Sequence, residues 1–263
     1  MLRRINSSFS SSSSNKNYKS LLSETKVENA ISCVNPKVNP TIYQPLFKTT
    51  GLITIPNFFT TDFANKYYDF LTKDMQEDWW YVSVNHDGNK VILQNTIENA
   101  DAISEAKEAA HKSFGEDKFS YVFFRTYNNH YENCNCFECE FRKILTSPAF
   151  IHLMNNLTGL QLTKNKEAFI SRYGNDCFLN VHNDKGNGQI AFVINLTHDW
   201  KPQYGGIFHI LTKDRTTIRN TVCPQFNSIT IFKVPEPNGI PHYVSHVAPS
   251  IKKYRYAVSG WFS

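Results

Sequence analysis

The second half of the chain has the residue pattern of a β-rich domain. After Gly159, short runs of apolar and β-branched residues alternate with glycine, proline and other turn residues. Antiparallel strands produce this texture, because successive side chains point to opposite faces and tight turns favour glycine or proline. Strands are predicted at 168–173, 178–184, 189–196, 206–211, 216–222, 227–233, 242–247 and 254–262. Short strands with no long helix between them favour a double-stranded β-helix, which is a distorted jelly roll.

The first half of the chain predicts helices that would support this sheet. A short apolar strand at 51–56 precedes a helix that Thr60 or Thr61 can cap, with apolar residues at helical spacing. Further elements are predicted at 98–114 (a helix), 118–129 (a strand) and on both sides of Pro148 (helices). The predicted fold class is therefore mainly β with a helical buttress.

Residues 1–40 differ in composition and are expected to lie outside the folded domain. That domain would span 41–263, with its jelly-roll core at about 165–263. Residues 1–23 are rich in serine and carry basic residues but no acidic one. This composition fits either a mitochondrial transit peptide or a disordered tail. We therefore expect an intracellular protein, either mitochondrial or cytoplasmic.

Composition limits the classes of function. Of the 263 residues, 41% are hydrophobic and 14% aromatic, which is enough for a substantial core. Much of the net charge of +5 comes from residues 1–23, so the remaining chain is nearly neutral and no nucleic-acid partner is expected. No apolar run approaches the ~18 residues of a membrane-spanning helix, so no membrane partner is expected.

Two possible metal ligands lie one residue apart in the segment FLNVHNDKG. On a strand, residues i and i+2 point to the same face, so His182 and Asp184 would project together. Taken alone, such a pair is more often a solvent-facing one. A third ligand elsewhere would complete the two-histidine, one-carboxylate set that suits non-haem Fe(II) oxygenases.

The third ligand is either His242 or His246, both in the segment GIPHYVSHVAP. If the last two strands pair antiparallel about the turn near 249–253, residues near 246 lie opposite residues near 255. His246 would then lie beside Arg255, whose guanidinium suits the far carboxylate of a dicarboxylate cosubstrate. On this basis we assign His246 as the ligand.

These residues resemble those of the Fe(II)/2-oxoglutarate-dependent dioxygenases. The resemblance covers about 168–263 and also includes the segments INLTHDWKPQYGGIFHIL and RYAVSGWF. Within that family the chain resembles the prolyl-hydroxylase branch, which includes the hypoxia-inducible-factor and ribosomal-protein prolyl hydroxylases. The resemblance implies that His182, Asp184 and His246 hold iron, that Arg255 binds the cosubstrate, and that Tyr173 lies in its pocket.

The resemblance also implies the chemistry. The cofactors would be Fe(II) with 2-oxoglutarate as cosubstrate, supported by ascorbate, and the products would include succinate and CO2. The favoured substrate is a prolyl residue in a protein or peptide. One alternative is the same chemistry on a small molecule such as a free amino acid. Another is a non-catalytic jelly-roll binding module. One departure is Asn195, which stands about where some relatives carry a tyrosine that contacts the cosubstrate.

Two further segments are candidates for binding. The segment HYENCNCFECEF offers His130, Cys134, Cys136 and Cys139, which could hold zinc, although a metal-free loop is the simpler interpretation. The aromatic residues at 79–81 could line a peptide groove together with the segment around 127–140. Core packing is the simpler interpretation for each of these aromatic residues.

Overall fold

The computed structural model describes residues 31–127, 136–235 and 239–263. Its α-helices are α1 (Pro40–Thr50), α2 (Thr61–Asp69), α3 (Ala100–Gly115), α4 (Phe137–Thr146) and α5 (Pro148–Thr158). The first seven strands are β1 (Leu52–Ile55), β2 (Tyr81–His86), β3 (Asn89–Gln94), β4 (Ser120–Arg125), β5 (Asn165–Tyr173), β6 (Phe178–His182) and β7 (Ile190–Asn195). The remaining strands are β8 (Phe208–Leu211), β9 (Ile218–Val222), β10 (Ser228–Lys233), β11 (His242–Val244) and β12 (Arg255–Phe262).

The strands form one rolled antiparallel sheet. Its order is β1-β10-β7-β12-β5-β4-β6-β11-β8-β9, and the hairpin β2–β3 joins through β4. We call β1-β10-β7-β12-β5 the first limb and β6-β11-β8-β9 the second limb; β4 pairs with both. The limbs face each other, since the ring centroids of Phe208 on β8 and Phe232 on β10 are 5.1 Å apart. The space between the limbs is where a jelly roll holds its ligands.

Helices α1, α4 and α5 pack against strands of the first limb, whereas α3 packs against β2 and β4. Thr60 caps α2 as expected, its hydroxyl accepting from the Phe63 amide. Tyr67 of α2 is fully buried and its ring lies 4.6 Å from that of Phe141 on α4. Arg142 of α4 joins this layer to the sheet by donating to the Ala168 carbonyl at 2.6 Å. Aromatic packing and this hydrogen bond therefore hold the helical layer against the strands.

The prediction of a mainly β fold with a helical buttress is confirmed. Each predicted strand after Gly159 has a counterpart within a few residues, and the helices near Thr61, at about 98–114 and around Pro148 are present. Two elements were missed, namely α1 and the hairpin β2–β3. Among the helices that the structure describes, none combines the length and apolar character that a bilayer crossing needs.

Most of the predicted N-terminal tail lies outside the residues that the structure describes. Residues 1–30, which contain the serine-rich stretch, lie outside the described residues. Packed residues occur before position 41, where the folded domain was expected to begin, because Cys33 is 5% exposed and belongs to the core. Val34 also forms a β-bridge with Phe59.

Candidate metal and cosubstrate site

Three side chains converge between the limbs. The Nε2 atom of His182 lies 3.6 Å from one carboxylate oxygen of Asp184, and the Nε2 atom of His242 lies 3.5 Å from the other. One possible ligand atom from each residue lies within 4.8 Å of the others. Two imidazole nitrogens and one carboxylate are the donor set of non-haem Fe(II) sites.

Backbone contacts fix the tautomers of both histidines. The Nδ1 atom of His182 lies 2.9 Å from the Asn180 carbonyl oxygen, and the Nδ1 atom of His242 lies 2.8 Å from the Ile240 carbonyl oxygen. A carbonyl oxygen can only accept, so Nδ1 must donate in both rings. In the neutral form of each ring, Nε2 then carries the lone pair, on the side of Asp184. Outer contacts of this kind orient metal-binding histidines.

Burial favours the neutral form of His242. The residue is 4% exposed, and burial together with the nearby His182 lowers its pKa to about 4, against the opposing attraction of Asp184. A neutral imidazole keeps the lone pair that a metal requires. Asp184 is also buried, at 6% exposed. A buried carboxylate needs a cation or several hydrogen bonds to offset its lost hydration, and a divalent metal would supply that charge.

Strand pairing explains why His242 and not His246 joins this group. β11 pairs with β6 and β8, and His242 is the direct partner of His182 in the β6–β11 register. β12 pairs with β5 and β7 instead. The prediction that the last two strands pair with each other is therefore wrong. The placement of His246 beside His182 and Asp184, which followed from that pairing, is wrong as well.

His246 lies beyond the end of β11 in an aromatic cluster. Its ring stacks on Phe178 with centroids 4.1 Å apart and meets Phe114 edge-on at 4.5 Å. His111 of α3 is also near, at 5.6 Å between ring centroids. Desolvation, and secondarily His111, lowers the pKa of His246. These contacts attach α3 to the end of the second limb, so His246 has a packing role.

Arg255 is a buried cation without a carboxylate partner in the described part of the chain. It is 3% exposed; its Nη1 donates to the Gly206 carbonyl at 2.8 Å and its Nη2 to the Asn195 side-chain oxygen at 3.4 Å. Its Nε is buried and has no partner. Burial lowers the pKa of Arg255, although guanidinium stays charged in proteins. A buried charge with an unused donor is the expected receptor for an anionic ligand.

Tyr173 is the strand partner of Arg255. The two residues are opposite each other in the β5–β12 register, and the Arg255 guanidinium carbon lies 5.2 Å from the Tyr173 ring centroid. Tyr173 is 6% exposed, and desolvation raises its pKa despite the adjacent cation. Its phenol is therefore a neutral donor beside the guanidinium. Tyr173 therefore lies beside Arg255, and its predicted place in a cosubstrate pocket stays a prediction.

Aromatic contacts connect the histidines to Arg255. The contacts run along β4, with ring centroids at 6.2 Å from His182 to Phe119, 5.8 Å from Phe119 to Tyr121, and 5.2 Å from Tyr121 to Phe123. The Phe123 ring then stacks on Tyr173 at 5.5 Å. A series of aromatic contacts thus joins His182 on the second limb to Tyr173, the strand partner of Arg255 on the first limb.

A glycine pair holds the backbone beside Arg255. Gly205 has φ 73°, and a Cβ there would overlap the His246 carbonyl oxygen. Its own carbonyl accepts from the Trp200 indole at 2.9 Å. Gly206, at φ 65°, then presents its carbonyl to Arg255. The DW…GG segment seen in the sequence is therefore a turn that brings a backbone acceptor to the buried guanidinium.

The remaining predicted binding segments are placed differently. Trp80 is fully buried beneath Arg172, whose guanidinium lies 4.5 Å from its ring, so it cannot line a groove. Tyr81 is half-buried and meets Tyr127 edge-on at 5.1 Å. His130 and Cys134 lie outside the described residues, and the zinc prediction stays a prediction.

The fold and this site define the class of protein, namely the metal-dependent oxygenases of the double-stranded β-helix fold. Residues 168–263 match the family model described as "2OG-Fe(II) oxygenase superfamily". Over this segment the chain resembles the 2OG-Fe(II) oxygenases, a class of dioxygenase enzymes, and within them the prolyl-hydroxylase-like branch. The resemblance predicted from the sequence is confirmed.

A curated relative supports the branch. The chain is 31% identical over 118 residues to prolyl 3-hydroxylase OGFOD1 of Xenopus laevis. The match covers 43% of this chain and 22% of that protein. The chain therefore spans only about a fifth of the length of the relative it matches.

Solved structures confirm the jelly-roll fold. A 2OG-Fe(II) oxygenase family oxidoreductase from Burkholderia pseudomallei matches with a TM-score of 0.55 at 14% identity, covering 86% of this chain and 92% of that one. A Pseudomonas putida prolyl-4-hydroxylase matches with a TM-score of 0.50 at 16% identity, covering 85% and 98%. At these identities the likeness concerns the fold alone.

The residues present fit the cofactors that the family implies. His182, Asp184 and His242 supply the nitrogen and oxygen donors that suit Fe(II). The unused Nε of buried Arg255 suits the distal carboxylate of 2-oxoglutarate.

Proposed function

We propose that this protein hydroxylates prolyl residues of a protein or peptide, using Fe(II) and 2-oxoglutarate and releasing succinate and CO2. The observation that carries the proposal is a pair of features on the facing limbs of the roll. His182, Asp184 and His242 converge at the second limb. The buried cation of Arg255 lies on the inner face of the first limb, the face whose Phe232 ring contacts His242 at 5.0 Å between centroids. A metal group alone would fit many hydrolases, but a buried anion receptor on the facing limb favours a dicarboxylate cosubstrate.

The residues have distinct roles in this function. His182, Asp184 and His242 would hold the metal, and three protein ligands leave positions for a 2-oxo acid and for dioxygen. Once bound, Fe(II) with 2-oxoglutarate supplies the oxidising chemistry, in which decarboxylation of the 2-oxo acid accompanies hydroxylation of the substrate. Arg255 would bind the far carboxylate of the cosubstrate and orient it, with Tyr173 beside it.

The surrounding residues keep the site dry and fixed. The carbonyls of Asn180 and Ile240 hold the histidine rings so that each Nε2 faces Asp184. Phe208 and Phe232 lie against His242, with ring centroids 5.4 Å and 5.0 Å away. This apolar wall excludes water from one side of the metal ligands, which strengthens electrostatic interactions within the site.

Proline as the target rests on the resemblance to the prolyl-hydroxylase branch. The curated relative from Xenopus laevis is named a prolyl 3-hydroxylase, and its match to this chain includes 118 aligned residues. The part of the sheet that leads away from His182 supports an apolar target. Phe119 is 40% exposed there, and Tyr121 follows it on β4.

Succinate formation tests the proposal. The full chain is supplied with Fe(II), ascorbate and 2-oxoglutarate, with and without proline-containing peptides and free amino acids. We expect turnover that a proline-containing peptide stimulates and that His182→Ala abolishes. Stimulation by a free amino acid alone would favour a small-molecule hydroxylase. Absence of both iron binding and turnover would favour a non-catalytic binding module.

A further inference from the structure

The inner face of the first limb is polar around Arg255. Asn195, Ser228 and Thr230 are each 3% exposed or less, and all lie on the face that carries Arg255. The opposite face of the same strands carries Ile194, Ile229 and Ile231, which pack in the core. Buried polar side chains normally have hydrogen-bond partners, so each of these must bond to another part of the protein or to a ligand.

The hydrogen bonds at Asn195 run in one direction. A guanidinium can only donate, so the Asn195 atom facing Arg255 Nη2 must be the amide oxygen. The amide nitrogen then faces the Ser228 hydroxyl at 3.3 Å. That hydroxyl donates its own proton to the Gln225 carbonyl at 2.8 Å, so it is free to accept from Asn195. Each of the hydrogen bonds in the series Arg255, Asn195, Ser228, Gln225 therefore joins a donor to an acceptor.

This series fixes which edge of Arg255 is available. Gly206 takes one hydrogen of Nη1, and Asn195 takes one of Nη2. Both acceptors are uncharged, so neither neutralises the cation. Nε, which is buried, has no partner. The guanidinium is thus held by neutral groups while its charge and part of its donor set stay available to a ligand.

We propose that Asn195, held by Ser228, is the positioning residue that keeps Arg255 ready for the distal carboxylate of the cosubstrate. The inference rests on the proposed use of 2-oxoglutarate. Ser228 is the strand partner of Asn195 in the β7–β10 register, so its hydroxyl can hold the Asn195 amide that contacts Arg255. A neutral amide is essential at position 195, since a carboxylate there would pair with Arg255 itself.

The test measures binding of 2-oxoglutarate to the full chain loaded with Mn(II), which prevents turnover, by calorimetry. Asn195→Ala and Ser228→Ala are expected to weaken 2-oxoglutarate binding about tenfold, since each removes a bond that orients a charged group. Neither should change the affinity for Mn(II) itself or for 2-oxobutyrate, a 2-oxo acid that lacks the distal carboxylate. If Asn195 and Ser228 only stabilised the fold, their substitution would not weaken binding of 2-oxoglutarate selectively over Mn(II) and 2-oxobutyrate.

Asn195→Asp gives a sharper result. The new carboxylate would pair with buried Arg255, so we expect a higher melting temperature together with loss of 2-oxoglutarate binding. Thr230→Ala is the matched control. It removes a buried hydroxyl from β10, the strand that also carries Ser228. That hydroxyl contacts Thr54 at 3.1 Å, so the substitution should leave 2-oxoglutarate affinity unchanged.

Two outcomes overturn the inference and can be told apart. If the wild-type chain binds 2-oxoglutarate and both Asn195→Ala and Ser228→Ala bind it equally well, the positioning role is wrong while the proposed function stands. If the wild-type chain binds Mn(II) but not 2-oxoglutarate, the proposed function fails, and the inference fails with it.

Discussion

His182 and His242 are direct partners across β6 and β11, and this pairing brings their ring centroids to 4.2 Å. The pairing puts the two Nε2 atoms on either side of the Asp184 carboxylate. Because two strands of the same limb hold the histidines, the group depends on backbone register and not on a flexible loop alone.

His242→Ala is expected to abolish Mn(II) binding, because it removes one of three converging ligands. His246→Ala serves as the comparison, since His246 lies only four positions away but stacks on Phe178. It should keep metal affinity and lose about 1 kcal/mol of stability from the lost ring contact. Calorimetric titration with Mn(II) checks both. Loss of binding in His246→Ala with retention in His242→Ala would reverse the assignment.

Arg255→Met is expected to abolish 2-oxoglutarate binding and leave Mn(II) binding intact. Methionine fills similar volume without charge, and removing a buried cation that lacks a carboxylate partner should cost little stability. Arg125→Met is the control, since Arg125 already pairs with Glu167 at 2.6 Å and should not affect the cosubstrate. The measurement is the dissociation constant of 2-oxoglutarate with Mn(II) present. Wild-type affinity in Arg255→Met would exclude its assigned role.

Glu77 should contribute stability that acid removes. Arg172, 2% exposed, donates to both carboxylate oxygens of Glu77, and these bonds lower the pKa of Glu77 below its ordinary value of 4.5. A group whose pKa is lower in the folded state stabilises the fold above the unfolded pKa and loses this effect as pH falls through the folded pKa. The contribution is therefore complete at neutral pH and declines below pH 4.5.

Urea unfolding of Glu77→Gln measures this effect. The Glu77 side chain is exposed, and carboxylates screened by solvent contribute modestly, so we expect a loss of about 1 kcal/mol at pH 7. The difference from wild type should shrink below pH 4.5. Glu105→Gln, an exposed substitution on α3, controls for the charge change. A difference that stays constant down to pH 3 would show that Glu77 acts by packing alone.

Gly205→Ala should be far more destabilising than Gly88→Ala. Both glycines have positive φ, at 73° and 85°, so each alanine costs about 1–2 kcal/mol of backbone strain. At Gly88 nothing lies within 4 Å of an added Cβ, whereas at Gly205 it would overlap the His246 carbonyl. Thermal unfolding of the two variants gives the comparison. Equal melting temperatures would contradict the close approach of these two segments.

The sequence predicted most of the sheet but not all of its pairing. Alternation of apolar and polar residues marks individual strands, which is why the segments from β5 to β12 were found. Alternation does not say which strands pair, because pairing between distant segments depends on the whole sheet. The choice of His246 over His242 rested on a local hairpin between β11 and β12 that the fold does not form.

The sequence does contain signals for the two elements that were missed, α1 and the β2–β3 hairpin. Asp87-Gly88 is a two-residue turn between alternating apolar residues, which is a strong hairpin signal, and β2 pairs with β3 around it. Asn39 caps α1 and Gly51 ends it with φ 69°. The contact of Asn195 with Arg255 had no comparable signal, because it joins strands 60 residues apart.

The sheet separates the two ends of the proposed cosubstrate site. His182 and His242 lie on the second limb, while Arg255 and Tyr173 lie on the first. A dicarboxylate held at both ends would therefore act as a brace between two halves of the roll. When the dicarboxylate binds, the backbone amide hydrogens of both β11 and β12 should exchange with solvent more slowly, although these two strands do not pair with each other. Ligand binding would thus make the whole roll more rigid, and not only the residues around the metal.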